Sequence, residues 1–146
     1  MIVRLLLLVC SSLLCASAAA QGSTAKLSLL HDGRWLVVLT CPDTRDKSGL
    51  IKGYEYTFSA IIDAGKFEGQ YGTAGKPDSV VYTGSVFEDG SLKISSAGNT
   101  GNPIASAGKV ASGTAYSYTL LGKLDGTTGQ ATRREVRPCS ATFTKK

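Results

Sequence analysis

The stretch GRWLVVLTCP, residues 33–42, contains the only tryptophan of the chain, and its positions 35, 37, 39 and 41 are all apolar, at a period of two. Successive side chains of a β-strand point to opposite faces, so this period is typical of a half-buried strand. The stretch therefore predicts a first strand that ends at a cysteine. Its buried face is expected to carry Trp35, Val37, Leu39 and Cys41.

The same period continues through most of the chain that follows. YEYTFSAII, at 54–62, keeps its aromatic residues on one face, and a turn then leads into a strand with Phe67 and Tyr71 in phase. The pair Asp89–Gly90 predicts a second hairpin, because it supplies the positive backbone angles of a tight turn. Further strands are predicted in TAYSYTLLGKL, QATRREVRP and SATFTK.

About eight strands joined by short turns, without a helical period, predict an all-β domain. We expect an antiparallel up-and-down meander closed into a small, calycin-like barrel, with a β-sandwich as the alternative. The stretch SAGNTGNPIASAGK, at 96–109, predicts the longest irregular connection. Bends of a small barrel are expected at the glycines inside strand patterns, Gly69, Gly84 and Gly122.

Cys41 and Cys139 are expected to form one disulfide. A redox-active pair is disfavoured because the C-x-x-C spacing is missing, and a metal site is disfavoured because His31 is the only histidine. Bonded cysteines need Cα atoms within about 7 Å of each other, so the first and last strands should be neighbours. Such a meander closes into a barrel, whose interior is either filled by side chains or holds one small ligand.

The first 20 residues have the pattern of a secretory signal peptide: one arginine, an apolar run and small residues at the end. Cleavage is expected after Ala20 or Ala18, which removes Cys10 and Cys15 and leaves a single barrel domain over 21–146. Neither leader cysteine follows the small residue that a lipid-attachment site needs, so no lipid anchor is expected. The expected location is periplasmic or secreted.

Charge and hydropathy restrict the class of partner. One of the 16 Lys and Arg residues lies in the leader, and with 11 Asp and Glu the exported chain would carry about +4. These charges are scattered, which favours solubility over nucleic-acid binding. No later apolar stretch is long enough to cross a bilayer. Neither a nucleic acid nor stable membrane insertion is therefore expected.

The Gly33-x-Trp35 motif at the head of the first strand resembles the opening motif of the lipocalins and their calycin relatives, including the avidins. The resemblance implies that Trp35 closes one end of the barrel and packs against an arginine from near the last strand, either Arg134 or Arg137. The additional tryptophans of the avidin biotin site are missing, so the resemblance does not imply biotin binding.

A wider pattern resembles a small exported domain of unassigned function found in alphaproteobacterial proteins. This resemblance covers most of the predicted domain and implies no particular activity. The matching positions are Trp35, Cys41–Pro42, Gly53–Phe58 with one extra residue, Gly69–Gly72, Asp89–Ser91, Gly113–Tyr116 and Arg137–Cys139.

We find no catalytic constellation in the sequence and expect a protein that is not an enzyme and holds no cofactor or metal. His31 precedes the first strand without an obvious partner and is expected to be solvated. A pair of carboxylates of the glycosidase kind stays open, because that chemistry depends on separation in space. The stretches GNTGNP and GTAGKP lack the strand-to-helix context of a phosphate loop. Aspartates expected to bond the backbone of turns are Asp32, Asp43, Asp46, Asp63, Asp89 and Asp125.

Binding is the expected function, and its tentative site residues are aromatic. These side chains could line a concave site for a small apolar ligand, or they could fill the core of a purely structural or accessory domain. An exported protein is the other candidate partner. A periplasmic protease inhibitor would use the segment QGSTAKLSLLHD, residues 21–32, much as bacterial metalloprotease inhibitors of similar architecture use theirs. The tentative site residues are Tyr54, Tyr56, Phe58, Tyr116 and Tyr118.

Overall fold

The computed structural model of the protein describes residues 25–133 and 135–146, so the predicted signal peptide lies outside the described residues. Ten strands are present in the described part of the chain. They are β1 (Gly33–Cys41), β2 (Thr44–Asp46), β3 (Gly49–Ile51), β4 (Tyr54–Asp63), β5 (Lys66–Tyr71), β6 (Ser79–Val86), β7 (Ser91–Asn99), β8 (Ala115–Asp125), β9 (Thr128–Arg133) and β10 (Cys139–Lys145).

Eight of these strands form a closed antiparallel barrel in the order β1-β10-β9-β8-β7-β6-β5-β4. Within the barrel, each strand pairs with the barrel strand that follows it in the sequence. The barrel closes because β1 pairs with both β4 and β10. The predicted up-and-down barrel is confirmed, and the sandwich alternative is wrong. Strands β2 and β3, which lie between β1 and β4 in the sequence, form a separate two-stranded hairpin. The sequence pattern did not predict this hairpin.

The predicted disulfide is confirmed and lies where the barrel closes. Cys41 and Cys139 are bonded, and their Cα atoms are 4.3 Å apart. The neighbouring pair, Thr40 and Ser140, is in register between β1 and β10. The bond therefore joins the first and last strands of the barrel, as the cysteine positions indicate.

The two ends of the barrel are built differently. We call the end with the tight turns between β4 and β5, β6 and β7, and β8 and β9 the base, and the opposite end the mouth. The longest irregular connection, 100–114, lies at the mouth and contains 3-10 turns at Pro103–Ala105 and Ala107–Lys109. Residues 96–99, predicted to begin this connection, instead belong to β7. No helix in the described ranges is long and apolar enough to cross a membrane.

Side chains fill the part of the barrel that is nearer the base. Trp35, Phe67 and Phe143 are almost fully buried, and the last two rings meet edge to face with centroids 6.0 Å apart. Gly122 of β8 lies so close to β9 that an added Cβ atom would collide with the Gln130 carbonyl oxygen, so only glycine permits that approach. The bend predicted at this position stays a prediction.

The residues before β1 lie across the base of the barrel and cover it. The Ser28 amide donates to the Val86 carbonyl, and the Glu88 amide donates to the Lys26 carbonyl. This return buries His31, whose Nδ1 lies 2.9 Å from the Ser28 hydroxyl oxygen. The expectation that His31 is solvated is therefore wrong, because the sequence pattern alone did not show that the chain folds back over the barrel.

Trp35 closes the base end, as the calycin resemblance implies, but its neighbours differ from that expectation. Its indole nitrogen donates to the His31 carbonyl at 2.9 Å. The cation nearest its ring is Lys145, whose Nζ is 5.9 Å from the ring centroid. Arg137 contacts the Pro42 carbonyl at the mouth, so its predicted contact with Trp35 is wrong. Arg134 lies outside the described residues, and that alternative stays a prediction.

Candidate functional site at the barrel mouth

A cavity of about 870 Å³ opens at the mouth of the barrel, and we call it the mouth cavity. Its walls are the mouth ends of β4, β5, β8 and β9 together with the connections around Asp78, 100–114 and Arg137. Aromatic and basic side chains dominate the part that faces the barrel. These are Tyr54, Tyr56, Tyr71, Tyr116, Arg133 and Arg137.

Strand alternation explains why tyrosines collect here. The inward positions of β4 begin with Tyr54 and Tyr56, and those of β8 begin with Tyr116, so each strand places its first inward side chains at the mouth. The Tyr56 ring stacks on the Tyr71 ring with centroids 3.9 Å apart and also meets Tyr54 at 4.6 Å. These contacts form one continuous aromatic wall.

A second group of rings forms the floor of the mouth cavity. Phe58 and Tyr82 stack with centroids 4.5 Å apart and almost parallel planes. The Tyr82 hydroxyl is 3.1 Å from the Tyr118 hydroxyl, and both side chains are buried. The floor separates the mouth cavity from the filled lower barrel.

The five tentative site residues all lie on the inward side of the barrel but have two different surroundings. Tyr54, Tyr56 and Tyr116 line the mouth cavity. Phe58 and Tyr118 belong to the buried core beneath it. The sequence alternatives of a lined pocket and a filled core therefore describe two successive layers of the same barrel.

Burial affects the ionisation of three tyrosines at and beneath the mouth cavity. It raises the pKa of Tyr56, and the hydrogen bond that the Tyr56 hydroxyl donates to Asp78 Oδ1 at 2.8 Å raises it further. Burial also raises the pKa of Tyr116, and it raises that of Tyr118 to about 12. These phenols therefore act as neutral hydrogen-bonding groups at neutral pH.

Arg137 joins three backbone segments at the mouth through hydrogen bonds. Its Nη atoms donate to the backbone carbonyls of Pro42, Lys52 and Ala105, over distances of 2.5 to 3.2 Å. Its guanidinium carbon lies 5.1 Å from the centroid of the Tyr54 ring. Burial lowers the pKa of the guanidinium, although arginine stays charged at any physiological pH. Arg137 therefore holds the rim and supports Tyr54.

Arg133 is the second cation of the mouth and has a different environment. It is the last residue of β9, lies on the inward face with Ala131, and is only 8% exposed. Its guanidinium carbon is 4.0 Å from the centroid of the Tyr118 ring, and its Nε donates to the Glu135 carbonyl at 3.0 Å. The arginine thus stacks on the floor and borders the mouth cavity.

Asp46 and Asp89 each accept a hydrogen bond from the amide two residues later, as expected of aspartates in turns. The other bonds reach backbone that is distant in sequence: Asp43 accepts from the Gly53 amide, and Asp46 also accepts from the Gly108 amide. Asp32 lies at the base, where it accepts from the amides of the turn between β4 and β5. Within the described residues, no group of three His, Cys, Asp or Glu side chains is arranged to hold a metal ion.

The tentative site residues did not include several residues of the mouth cavity, among them Tyr71, Asp78 and Arg133. Tyr71 is in phase with Phe67, and Arg133 is in phase with Gly129 and Ala131, so alternation already indicated their inward positions. Asp78 lies in a connection with a positive φ of 58°, and no periodic pattern could have identified it.

Comparison of the chain with protein-family models, curated proteins and solved structures finds no match. The structure shows the eight-stranded antiparallel closed barrel that the calycin resemblance implies.

Proposed function

We propose that the protein is an exported, non-enzymatic binding protein and that its ligand is a small molecule with an apolar, ring-containing body. The observation that carries this proposal is the mouth cavity of about 870 Å³, with a tyrosine wall above a filled core. Sites for small molecules commonly measure about 300–1,000 Å³ and combine apolar walls with a few polar groups. The size and the lining both agree with that class.

The aromatic wall supports a ligand with a flat ring. Tyr54 and Tyr116 are only partly buried, so ring surface is left at the mouth cavity for a further stacking partner. Aromatic pairs add about 0.5–1.5 kcal/mol beyond their buried area. Tyrosine hydroxyl groups at the same wall would orient a polar substituent on the ligand.

The location of the polar groups supports binding over catalysis. Asp78, the aspartate that lines the mouth cavity, accepts a hydrogen bond from the Tyr56 hydroxyl. Asp43, beside the rim, accepts one from the Gly53 amide. His31 lies at the base, bonded to Ser28 at the other end of the barrel. Glu55, which also lines the mouth cavity, accepts a hydrogen bond from the Thr40 hydroxyl at 3.3 Å. Each of these groups is thus bonded to another part of the protein or lies far from the mouth cavity, which favours binding over acid–base chemistry.

Export is supported by the disulfide between Cys41 and Cys139, because such bonds persist in oxidising compartments. The signal-peptide pattern of the first 20 residues supports the same location. A periplasmic or secreted protein with an open barrel mouth would meet its ligand directly in that compartment.

Fluorescence titration with anilinonaphthalene, a neutral aromatic probe, tests the proposal. We expect saturable fluorescence enhancement with the folded protein and at least a tenfold loss of affinity, about 1.4 kcal/mol, in Tyr116→Ala. The matched control is Leu121→Ala, which removes an exposed apolar side chain from the outer wall and should leave binding unchanged. No saturable binding by the folded protein would refute the proposal.

The inhibitor alternative is tested by a truncation that leaves the base of the barrel intact. Residues 26–28 pair with the base of the barrel, and Leu27 forms an isolated bridge with Phe87. Removing residues 21–30 would therefore also disturb the covered base around Trp35. Removing only residues 21–25 and assaying protease inhibition would test this alternative without that defect.

A further inference from the structure

The inward-facing Arg133 is the feature of the mouth cavity that apolar binding does not explain. A charged side chain that is only 8% exposed is uncommon, because removing its charge from water is costly unless a partner compensates for it. In this barrel the arginine lies on the floor at Tyr118, at the edge of an open cavity.

Protein groups meet only part of the hydrogen-bonding capacity of Arg133. A guanidinium has five N–H donors, and the Nε donor is used by the Glu135 carbonyl. The Tyr54 hydroxyl is a further side-chain hydrogen-bond partner of Arg133. The Glu135 carboxylate accepts a hydrogen bond from the Thr119 amide. The ion pairs found among the described residues join Lys26 to Glu88 and Lys52 to Asp43, and neither includes Arg133.

The charges around the mouth cavity reinforce this arrangement. Arg137 adds a second buried cation, but its Nη donors are directed to backbone carbonyls of the rim. The acidic residues that line the mouth cavity are Asp78, which accepts a hydrogen bond from the Tyr56 hydroxyl, and Glu55, which accepts one from the Thr40 hydroxyl. Burial raises the pKa of Tyr54, the charges of Arg133 and Arg137 oppose that rise, and the charge of Asp78 adds to it.

We propose that Arg133 binds an anionic group of the ligand, so that the ligand of the mouth cavity is an aromatic carboxylate, sulfonate or similar organic anion. A planar guanidinium binds such groups through two parallel hydrogen bonds. Tyr118 beneath the guanidinium holds it in place, and the Tyr116 ring lies parallel to Tyr118 with centroids 6.0 Å apart. The charged group and the ring of one ligand can therefore be bound side by side. This inference rests on the proposed binding function.

A pair of probes separates the inference from the proposed function. Anilinonaphthalene and anilinonaphthalene sulfonate share the same ring system, and only the second carries a negative charge. We expect the folded protein to bind the sulfonate at least about tenfold more tightly than the neutral probe. We also expect the affinity for the sulfonate, but not for the neutral probe, to fall as salt concentration rises.

Variants then assign the preference to one side chain. Arg133→Gln should lower the affinity for the sulfonate about tenfold more than it lowers the affinity for the neutral probe. Arg34→Gln, with the same loss of charge at an exposed position at the base, is the matched control and should change neither affinity. Arg133→Lys should fall between wild type and Arg133→Gln, because it keeps the charge and loses the planar pair of donors.

Each other outcome has a definite meaning. If neither probe binds the folded protein, the proposed function fails. If the neutral probe binds and the sulfonate binds no better, the inference about Arg133 fails while the proposed function stands. Equal losses for both probes in Arg133→Gln would also overturn the inference, because they would show a general structural role. If Arg133→Gln does not fold, Arg133→Lys decides, and an unchanged affinity for the sulfonate in that variant would overturn the inference.

Discussion

The base and the mouth of this barrel are formed by the same strands, but the base is filled and covered while the mouth is open and holds polar side chains. At the base, Trp35 and Phe67 are fully enclosed, and the residues before β1 cover the opening. At the mouth, Tyr54 and Tyr116 remain partly buried around a cavity, and Arg133 carries a charge inside the barrel. The contrast indicates that the base supplies stability, while the mouth keeps polar groups whose desolvation costs stability and which a ligand could use.

The largest expected effect tests a bond that lies at the mouth but acts on the whole fold. Replacing Cys41 and Cys139 together by Ala should lower the free energy of unfolding by about 4 to 5 kcal/mol, because the sequence separation of 98 residues gives the unfolded chain much entropy. Urea unfolding measures the change. Thiol titration of the denatured, unreduced wild-type protein should find no free thiol from this pair, and two free thiols would contradict the bond.

Trp35→Ala is expected to have the next largest effect and tests the role of the base. The side chain is completely buried and its indole nitrogen is bonded to His31, so the change should cost about 3 to 5 kcal/mol of unfolding free energy. Affinity of the remaining folded protein for anilinonaphthalene should stay within about twofold, because the mouth is at the other end of the barrel. A large loss of affinity with little loss of stability would reverse the assigned roles.

Alkaline pH should destabilise the protein through the buried phenols of the mouth. The pKa of Tyr118 is raised from 10.0 to about 12, so the unfolded chain releases this proton first as pH rises. The contribution of Tyr118 is therefore complete below about pH 10 and is lost as pH rises through about 12. Tyrosinate absorbance and circular dichroism, followed together, should change in one transition in this range. Ionisation of all the tyrosines near pH 10 with the fold intact would contradict this prediction.

A smaller effect distinguishes the floor of the mouth cavity from its wall. Tyr82→Phe removes the hydroxyl that meets Tyr118 at 3.1 Å and should cost about 1 to 2 kcal/mol, because a buried polar group loses its partner. Thermal or urea unfolding provides the measurement.

The smallest expected effect is that of Tyr116→Phe, the matched change in the wall. The Tyr116 side chain is only partly buried and lines the mouth cavity, so its unfolding free energy should stay within about 0.5 kcal/mol of wild type. Equal effects of Tyr82→Phe and Tyr116→Phe would remove the distinction between floor and wall.

Alternation in the sequence was sufficient for much of the barrel. It identified the inward sides of β1, β4 and β8, and the cysteine pair indicated which strands meet. It failed at His31, because the burial of that residue depends on a return of the chain across the base that has no local period. It also failed to predict the β2–β3 hairpin, whose strands are only three residues each.

The candidate site was predictable in composition more than in arrangement. Tyr54, Tyr56 and Tyr116 were selected from their alternation, and they do line the mouth cavity. Phe58 and Tyr118 were selected by the same pattern and lie beneath it, because alternation gives the face of a strand but not the depth along the barrel. Arg137 was assigned to Trp35 and lies at the other end for a related reason: a resemblance in motif does not specify which connection carries the cation.

The sequence by itself determined an all-β chain with a strand-to-strand disulfide, since both follow from local side-chain alternation and from the number of cysteines. Only the tertiary structure decided that the base is filled and the mouth is open. That difference depends on which connections cross each end and on where long side chains such as Arg133 come to lie. Both are set by contacts between residues far apart in sequence, which no local pattern contains.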